Sequence, residues 1–264
     1  MFQGKGTLMK TYILSHQKNI RDLGGLKGFE GRNIKFGRLY RGGALNRVND
    51  DDIEILKSFN LTHVVDFRGD DEFVYQPDYH IPGVQYVNFS VIQEKIKKED
   101  RMHDDGNLLW FVEENTSGFE HMKQQYRDSI NEEKSQIAYR NFFKLLQEED
   151  KVVYFHCSQG KDRVGLAAYF IESILGVDQE TILEDYLFSN VAMEDKIQNI
   201  LGNIRFKDFY NPFYHQKLLD VFAAKEEYLQ AAIDEINKNY GDTLSYCQNI
   251  LGVDIDKFRK LYLD

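Results

Sequence analysis

A cysteine and an arginine lie six positions apart within residues 156–165, which read HCSQGKDRVG. A thiolate is a strong nucleophile, and a guanidinium carries two parallel N–H groups that match the oxygens of a tetrahedral phosphate. Cys157 and Arg163 therefore suggest covalent chemistry on a phosphoryl group, with the cysteine as the attacking atom. This spacing also arises by chance, so the alternative is a buried, inert thiol beside a surface arginine.

The residues around this pair predict a strand, a turn and a helix. Residues 152–155 form a short apolar run typical of a buried strand, and residues 166–175 are apolar enough for a largely buried helix, which should begin between the cysteine and the arginine. Backbone N–H groups of a turn that leads into a helix bind anions, and this setting lowers the pKa of a nearby cysteine. We therefore expect Cys157 to be ionised at neutral pH and to face a bound anion.

The whole segment, with Gly-Lys-Asp-Arg after the cysteine, resembles the signature loop of cysteine-dependent protein phosphatases. It is most similar to a bacterial tyrosine-phosphatase group whose loop reads HCxxGKDRTG and of which some members also accept phosphoinositides. Residues 19–25, 37–43, 64–68, 240–241 and 251–254 also resemble that group, so the similarity spans nearly the whole chain. It implies an α/β fold with a central, mostly parallel sheet flanked by helices and a helical C-terminal part. It implies no cofactor.

The resemblance also implies roles for residues of the loop. A phosphatase of this kind hydrolyses phosphate monoesters through a cysteinyl-phosphate intermediate on Cys157, while Arg163 and the N–H groups of the turn hold the phosphate oxygens. Asp162 takes the place of an acid that is a proposed proton donor to the leaving oxygen. The predicted substrate-binding residues are Ser158, Gln159, Gly160, Lys161, Val164 and Gly165.

Several of these roles have plain structural alternatives. An aspartate in the first turn of a helix complements the helix dipole without any catalytic duty, and Asp66, Asp104 and Asp105 are rival acids. Lys161 either adds positive charge at the mouth of the site or is a solvated lysine. His156 is expected to fix the cysteine through local hydrogen bonds instead of acting as a base.

Val164 departs from the family pattern, which has threonine or serine after the arginine. In the family that hydroxyl can hydrogen-bond the sulfur and stabilise it as a leaving group when water breaks the intermediate. Losing one hydrogen bond to a charged group costs about 1.5–3 kcal/mol, which is about ten- to a hundredfold in rate. We therefore expect a working but slower enzyme.

Upstream charged residues could support the loop. Arg21 or Asp22 either braces the site or ties an N-terminal hairpin to the core, and Arg41 either stabilises the loop or touches substrate. Residues 62–68 predict a second buried strand. Asp66 and Arg68 stand at its carboxyl end, where open α/β sheets place their sites, and they form either part of the site or a structural ion pair.

The composition excludes several other classes of protein. The chain has 264 residues and a net charge of −10, which argues against a general nucleic-acid binder. Its two cysteines, Cys157 and Cys247, make a disulfide framework implausible, and a free catalytic thiol needs a reducing compartment. We expect one cytoplasmic domain over residues 1–264, although export without a cleaved signal stays open. Residues 1–10 are expected to be disordered or expression-derived, with Met9 as a candidate natural start.

The remaining segments predict helices and a candidate flap. Residues 93–117 begin highly charged and continue into an apolar stretch, which indicates either a lid or a surface loop leading into a packed helix. His103 lies there beside two aspartates, but no second ligand pair is spaced to complete a metal site. Amphipathic spacing predicts helices around residues 139–146 and 229–240, and acidic residues at 50–52, 178 and 254 predict helix starts.

Three functional classes compete on this sequence. The first is a phosphatase acting on phosphotyrosine proteins or phosphoinositides, with transient contact to a membrane surface if the substrate is a lipid. The second is a non-catalytic module that binds phosphorylated ligands, which Val164 makes more credible. The third is a sulfurtransferase or arsenate reductase, in which Cys247 would be the resolving thiol. The Gly-Lys-Asp-Arg run disfavours this third class.

Overall fold

The computed structural model describes residues 2–3, 8–91, 117–205 and 212–264. Over these residues the chain forms a mixed sheet with the strand order β1-β2-β3-β4-β7-β5-β6. The strands are β1 Phe2–Gln3, β2 Leu8–Tyr12, β3 Ile20–Asp22, β4 Leu39–Gly43, β5 His63–Asp66, β6 Gln85–Asn88 and β7 Val153–Cys157. Both strands predicted around the site are present, as β5 and β7.

The sheet is parallel in its central part and antiparallel at its N-terminal edge. Strands β4, β7, β5 and β6 pair in parallel, whereas β1 to β4 pair antiparallel in chain order. Consecutive strands joined without a crossover must run antiparallel, and the parallel pairs need longer connections that contain helices. The expected α/β fold is confirmed, and the prediction of a mostly parallel sheet holds for these four strands.

Helices make up most of the rest of the described chain. They are α1 Asp50–Ser58, α2 Asp70–Tyr75, α3 Gly118–Asn131, α4 Glu133–Leu146, α5 Asp162–Ile174, α6 Gln179–Ala192, α7 Glu194–Arg205, α8 Pro212–Phe222, α9 Glu226–Tyr240, α10 Thr243–Asn249 and α11 Ile255–Tyr262. The predicted apolar stripe on α4 is buried. Asp178 and Asp254 cap α6 and α11 as predicted. The cap of α1 is Asn49, one residue before the predicted acidic start, because its side chain accepts the Asp52 N–H.

Alternation along β7 divides its side chains between two cores. Val153, Phe155 and Cys157 belong to the larger core, which extends from Leu23 to Leu263 in sequence. Tyr154 points to the opposite face of the sheet, where a smaller core contains residues of α1. Cys157 therefore faces the helix-rich side, and the preceding His156 faces away from it.

Two sequence predictions concern residues that lie partly or almost wholly outside the described ones. The candidate flap, with His103, Asp104 and Asp105, lies outside the described residues except for Ser117, and half of residues 1–10, namely 1 and 4–7, do as well. Among the helices that are described, none combines the length and the apolar character needed to cross a membrane.

Candidate active site

The signature loop, residues 157–165, connects the end of β7 to the start of α5. The Gly165 N–H donates to the Lys161 carbonyl at 2.8 Å, as the first bond of the helix. The N–H groups that precede it in the first turn have no partner within the helix, because a helix leaves its first N–H groups unpaired. The loop therefore offers free donors at the positive end of the α5 dipole, and an anion is the matching ligand.

Gly160 lets this loop lie against the neighbouring strand. Its φ is +71°, and a Cβ atom there would come within 2.3 Å of the Gly42 carbonyl carbon and oxygen on β4. Any other residue would force either the loop or the strand to move, since both contacts are with backbone. This position depends on glycine for its φ and for the space.

Arg163 is buried at the N-terminal turn of α5 and is held by Glu72. Its Nη1 lies 2.7 Å from Glu72 Oε2 and its Nη2 3.1 Å from Oε1, while Nη2 also lies 3.2 Å from Ser158 Oγ. Burial alone would lower the pKa of Arg163, but the charges of Glu72 and Cys157 raise it. The arginine is thus a permanent cation at the start of α5.

Glu72 was not predicted from the sequence, although it makes the main contact to the arginine. Its carboxylate also accepts the Ser158 hydroxyl, and its Oε2 accepts the Gly69 N–H at 3.1 Å. Burial opposes its ionisation, but Arg163 and these hydrogen bonds lower the pKa of Glu72 to about 2. Its place in α2, just after the second predicted strand, was the available signal, since the carboxyl ends of parallel strands collect site residues.

A second ionic cluster lies on the other face of the sheet and contains three predicted residues. Arg68 contacts both oxygens of Asp66 through Nε, and its Nη2 lies 2.8 Å from Asp78 Oδ2. His156 Nε2 lies 3.0 Å from the same Asp78 oxygen. Burial lowers the pKa of His156, but Asp78 and Asp66 raise it more strongly. Asp66 and Arg68 therefore form the structural ion pair. His156 faces Asp78 through Nε2, and its Nδ1 lies 3.4 Å from the Cys157 backbone carbonyl, which is the local contact with the cysteine that the sequence led us to expect.

Three side chains of this cluster lie close enough together to be considered as metal ligands. One ligand atom each from Asp66, Asp78 and His156 lies within 4.8 Å of the others. However, the Arg68 guanidinium contacts both carboxylates at 2.8 Å and already supplies their cation. The chemistry of the donor set thus fits an ion network and not a metal centre.

A third cluster lies directly behind the loop and involves both upstream arginines. Asp185 on α6 accepts from Arg21 Nε at 2.5 Å and from Arg41 Nη1. Arg41 Nη2 also donates to the Gly160 carbonyl at 3.2 Å. Of the alternatives left open by the sequence, Arg21 belongs to the support of the loop, whereas Asp22 accepts the N–H groups of Gly24 and Gly37 and stabilises the N-terminal turn.

Comparison with known proteins agrees with this geometry. Residues 12–264 match the model of the tyrosine phosphatase family. The chain belongs to this family. A putative tyrosine-protein phosphatase from Cupriavidus necator is 31% identical over 93% of this chain and 85% of its own length. The triple specificity protein phosphatase PtpB of Mycobacterium tuberculosis is 25% identical over 82% of this chain and 86% of its own.

A solved structure of P. aeruginosa TpbA in complex with phosphotyrosine is also similar. It is 17% identical, with a TM-score of 0.35, and the match covers 83% of this chain and 98% of that one. Membership of the tyrosine phosphatase family makes the chain a hydrolytic phosphatase and implies a phosphoprotein substrate. The family does not favour the two alternatives to a phosphatase. These were a non-catalytic module and a sulfurtransferase or arsenate reductase.

Lys161 of this tyrosine phosphatase does not lie where the sequence predicted. It is only 2% exposed, and its ammonium donates to the Val221 carbonyl at 2.5 Å and to the Ala223 carbonyl at 3.4 Å. These carbonyls end α8, whose negative dipole end attracts a cation. The lysine is therefore neither solvated nor free at the mouth of the site. It connects the signature loop to α8.

Asp162 lies at the first position of α5 with its side chain partly exposed. Its Oδ1 accepts the Tyr126 hydroxyl at 2.8 Å, and its Oδ2 lies 3.5 Å from Lys161 Nζ. The Tyr126 hydroxyl also lies 2.7 Å from that of Tyr186. Tyr126 on α3 was not predicted, because α3 is more than thirty residues away along the chain and its contact with α5 depends on the tertiary fold.

Two further predicted binding residues of the phosphatase act differently from expectation. Val164 is fully buried in the larger core, to which Cys157 also belongs, so its apolar side chain packs there and its backbone N–H is the donor that it can offer a ligand. The Gly165 N–H is already bonded to the Lys161 carbonyl, which removes Gly165 from the set of free donors. Its lack of a side chain instead makes room for the Tyr186 ring, which would lie 3.0 Å from a Cβ atom there.

Glu172 gives the phosphatase a pH-dependent stability that can be measured. Burial and the charge of Asp185 raise the pKa of this glutamate well above its ordinary value of 4.5, although Arg41 and Arg21 oppose the shift. Above pH 4.5 the folded state then holds one proton more than the unfolded state. The free energy of unfolding should fall as pH rises, by up to about 1.4 kcal/mol per pH unit, until the folded group ionises.

A Glu172→Gln variant should lose this contribution, because an amide cannot ionise. In denaturant titrations between about pH 5 and pH 8 we expect the stability of the variant, relative to the wild type, to increase with pH. Glu54→Gln, at an exposed position on α1, is the control and should give a constant difference. Parallel stability profiles for the wild type and Glu172→Gln would contradict a protonated Glu172.

Proposed function

We propose that this phosphatase hydrolyses phosphotyrosine in proteins through a cysteinyl-phosphate formed on Cys157. The observation that carries the proposal is the Nε atom of Arg163. This atom is buried and has no hydrogen-bond partner among the described residues, while both terminal nitrogens are held by Glu72. An unpaired buried donor costs about 1–3 kcal/mol, and a phosphate oxygen in the loop would satisfy it.

The proposed reaction has two steps. The Cys157 thiolate attacks phosphorus, the bond to the tyrosine oxygen breaks, and Asp162 gives that oxygen its proton. Water then attacks phosphorus, Asp162 takes the proton, and the sulfur leaves again as a thiolate. Arg163 and the loop N–H groups hold the three remaining oxygens throughout and stabilise the charge that redistributes among them.

The support is stronger for phosphotyrosine than for phosphoinositides. An inositol ring with several phosphates would call for further cations around the loop, and the cation expected for this purpose, Lys161, is bonded to the carbonyls that end α8. A phosphoinositide substrate, with transient contact to a membrane surface, is therefore the second outcome that the test must detect. A thiolate nucleophile requires reducing conditions, so we place the enzyme in the cytoplasm.

A resolving-thiol mechanism receives no support from the second cysteine. Cys247 lies on α10 and is fully buried. Burial raises its pKa well above that of an ordinary thiol. A neutral, inaccessible thiol is a poor partner for disulfide exchange, which the sulfurtransferase and arsenate reductase alternative would require.

The test is phosphate release from four substrates under identical reducing conditions. These are p-nitrophenyl phosphate, a phosphotyrosine peptide, the same peptide with phosphoserine, and vesicles that contain a phosphoinositide. We expect turnover of the first two and the highest kcat/KM for the phosphotyrosine peptide. If phosphate were released fastest from the vesicles, the substrate would be a lipid and not a protein. No release from any substrate, with the phosphotyrosine peptide still bound, would establish a binding module instead.

Val164→Thr should speed the second step of the reaction. The added hydroxyl can donate to the departing sulfur, and one hydrogen bond to a charged atom is worth about ten- to a hundredfold in rate. Rapid-quench experiments should show faster breakdown of the phosphoenzyme with unchanged formation. Val164→Ala is the control, since it changes the packing without adding a donor. An unchanged breakdown rate in Val164→Thr would exclude this account of the valine.

A further inference from the structure

Three successive carbonyl groups of the signature loop are bonded on the side facing the body of the protein. The Ser158 carbonyl accepts the Ala44 N–H at 3.3 Å. The Gln159 carbonyl accepts Asn19 Nδ2 at 3.0 Å. The Gly160 carbonyl accepts Asn19 Nδ2 and Arg41 Nη2, both at 3.2 Å. All three carbonyl oxygens are thereby held in fixed directions.

The direction of a carbonyl fixes the direction of the next N–H. The peptide unit is planar and trans, so its C=O and N–H bonds point to opposite sides. Holding the carbonyls of residues 158–160 inward therefore turns the N–H groups of residues 159–161 outward. If one of these peptide units rotated, a partly negative carbonyl oxygen would point at the bound anion in place of an N–H donor of the signature loop.

Asn19 is itself held in one orientation. Its Oδ1 accepts Arg21 Nη1 at 2.6 Å, which directs Nδ2 toward the loop. Arg21 in turn donates to Asp185 through Nε and to the Asp185 carbonyl through Nη2, at 2.5 and 2.7 Å. Asp185 also binds Arg41, so one carboxylate fixes both side chains that reach the loop. Asn19, Arg21 and Arg41 are fully buried, which makes their geometry rigid.

We propose that Asn19 and Arg41 are positioning residues that keep the N–H groups of the signature loop directed at the substrate phosphate. Neither residue touches the reacting atoms, since both act through the carbonyls of Gln159 and Gly160. This inference rests on the proposed phosphatase site, because it assigns the loop N–H groups to a phosphate. It also gives Arg21 a role, because Arg21 holds the Asn19 amide in the orientation that reaches the loop carbonyls.

The test measures binding of inorganic phosphate by calorimetry, together with kcat/KM on p-nitrophenyl phosphate and the melting temperature. For Asn19→Ala we expect phosphate affinity and kcat/KM each to fall about ten- to a hundredfold, since donors to a charged ligand are lost when peptides rotate. Ser189→Ala is the matched control. Ser189 is equally buried and accepts from the same Asn19 amide at 3.3 Å, but its removal leaves the bonds from Asn19 to the Gln159 and Gly160 carbonyls in place, so phosphate affinity should stay within about twofold.

The outcomes separate this inference from the proposed function. A wild-type protein that neither binds phosphate nor hydrolyses the ester would overturn the proposed function itself. An active wild type, with an Asn19→Ala variant that melts earlier but binds phosphate unchanged, would overturn only the positioning role. If Asn19→Ala fails to fold, Arg41→Lys decides, because lysine keeps the charge but cannot reach Asp185 and Gly160 together. Unchanged phosphate affinity in a folded Arg41→Lys would also reject the proposal.

Discussion

Cys157→Ser is expected to abolish turnover, with kcat reduced on the order of 10⁶-fold, the scale seen when the nucleophile of a covalent hydrolase is removed. A serine hydroxyl has nearly the size of the thiol but stays protonated at neutral pH, so it cannot attack phosphorus. The loop N–H groups and Arg163 remain, and the negative charge of the thiolate is gone, so phosphate should bind at least as tightly as to the wild type. Phosphate release and calorimetry on the same preparation measure both quantities.

The control for this prediction is the other cysteine. Cys247→Ala removes a buried thiol from α10, so it should lower the melting temperature and leave kcat unchanged. A denaturing quench during turnover of radiolabelled p-nitrophenyl phosphate should leave label on the wild type and on Cys247→Ala, but none on Cys157→Ser. Substantial activity in Cys157→Ser, or a label that persists there, would rule out a cysteinyl-phosphate at this position.

Asp162→Asn is expected to lower kcat by about 10²- to 10⁴-fold on a phosphotyrosine peptide, the usual contribution of a general acid. An amide cannot supply the proton that the tyrosine oxygen needs, since the phenol of tyrosine has a pKa of about 10. p-Nitrophenolate is a much better leaving group, and its ester should be affected far less. The ratio of the two losses, measured as kcat, is therefore the decisive quantity.

This ratio distinguishes the two roles open to Asp162, a general acid or an aspartate that only complements the helix dipole. Asp178→Asn is the matched control, because Asp178 is also an aspartate at a helix start, where it accepts the Thr181 N–H at 3.0 Å. That variant should change stability and leave both esters unaffected. An equal loss on both esters in Asp162→Asn would show that the carboxylate only complements the dipole of α5 or holds Tyr126.

The local chemistry of the site could be predicted from the sequence alone. The apolar run, the turn and the buried helix around Cys157 are encoded within about 25 consecutive residues, so the strand, the loop and α5 follow from local pattern. The caps Asp178 and Asp254 and the buried stripe on α4 were also predicted, because periodicity and capping depend only on near neighbours.

The tertiary structure alone decided which charges meet. Glu72 contacts Arg163 across 91 residues, and Asp185 binds Arg21 and Arg41 across 164 and 144 residues. No periodicity connects such positions. They come together because parallel β4, β5 and β7 place their carboxyl ends at one end of the sheet, and because antiparallel β3 sets Arg21 opposite Arg41, where Asp185 of α6 reaches both. A charged side chain that the fold buries must be paired with an opposite charge nearby, whatever its distance along the chain. For the same reason Lys161, expected at the mouth of the site, instead binds the carbonyls that end α8.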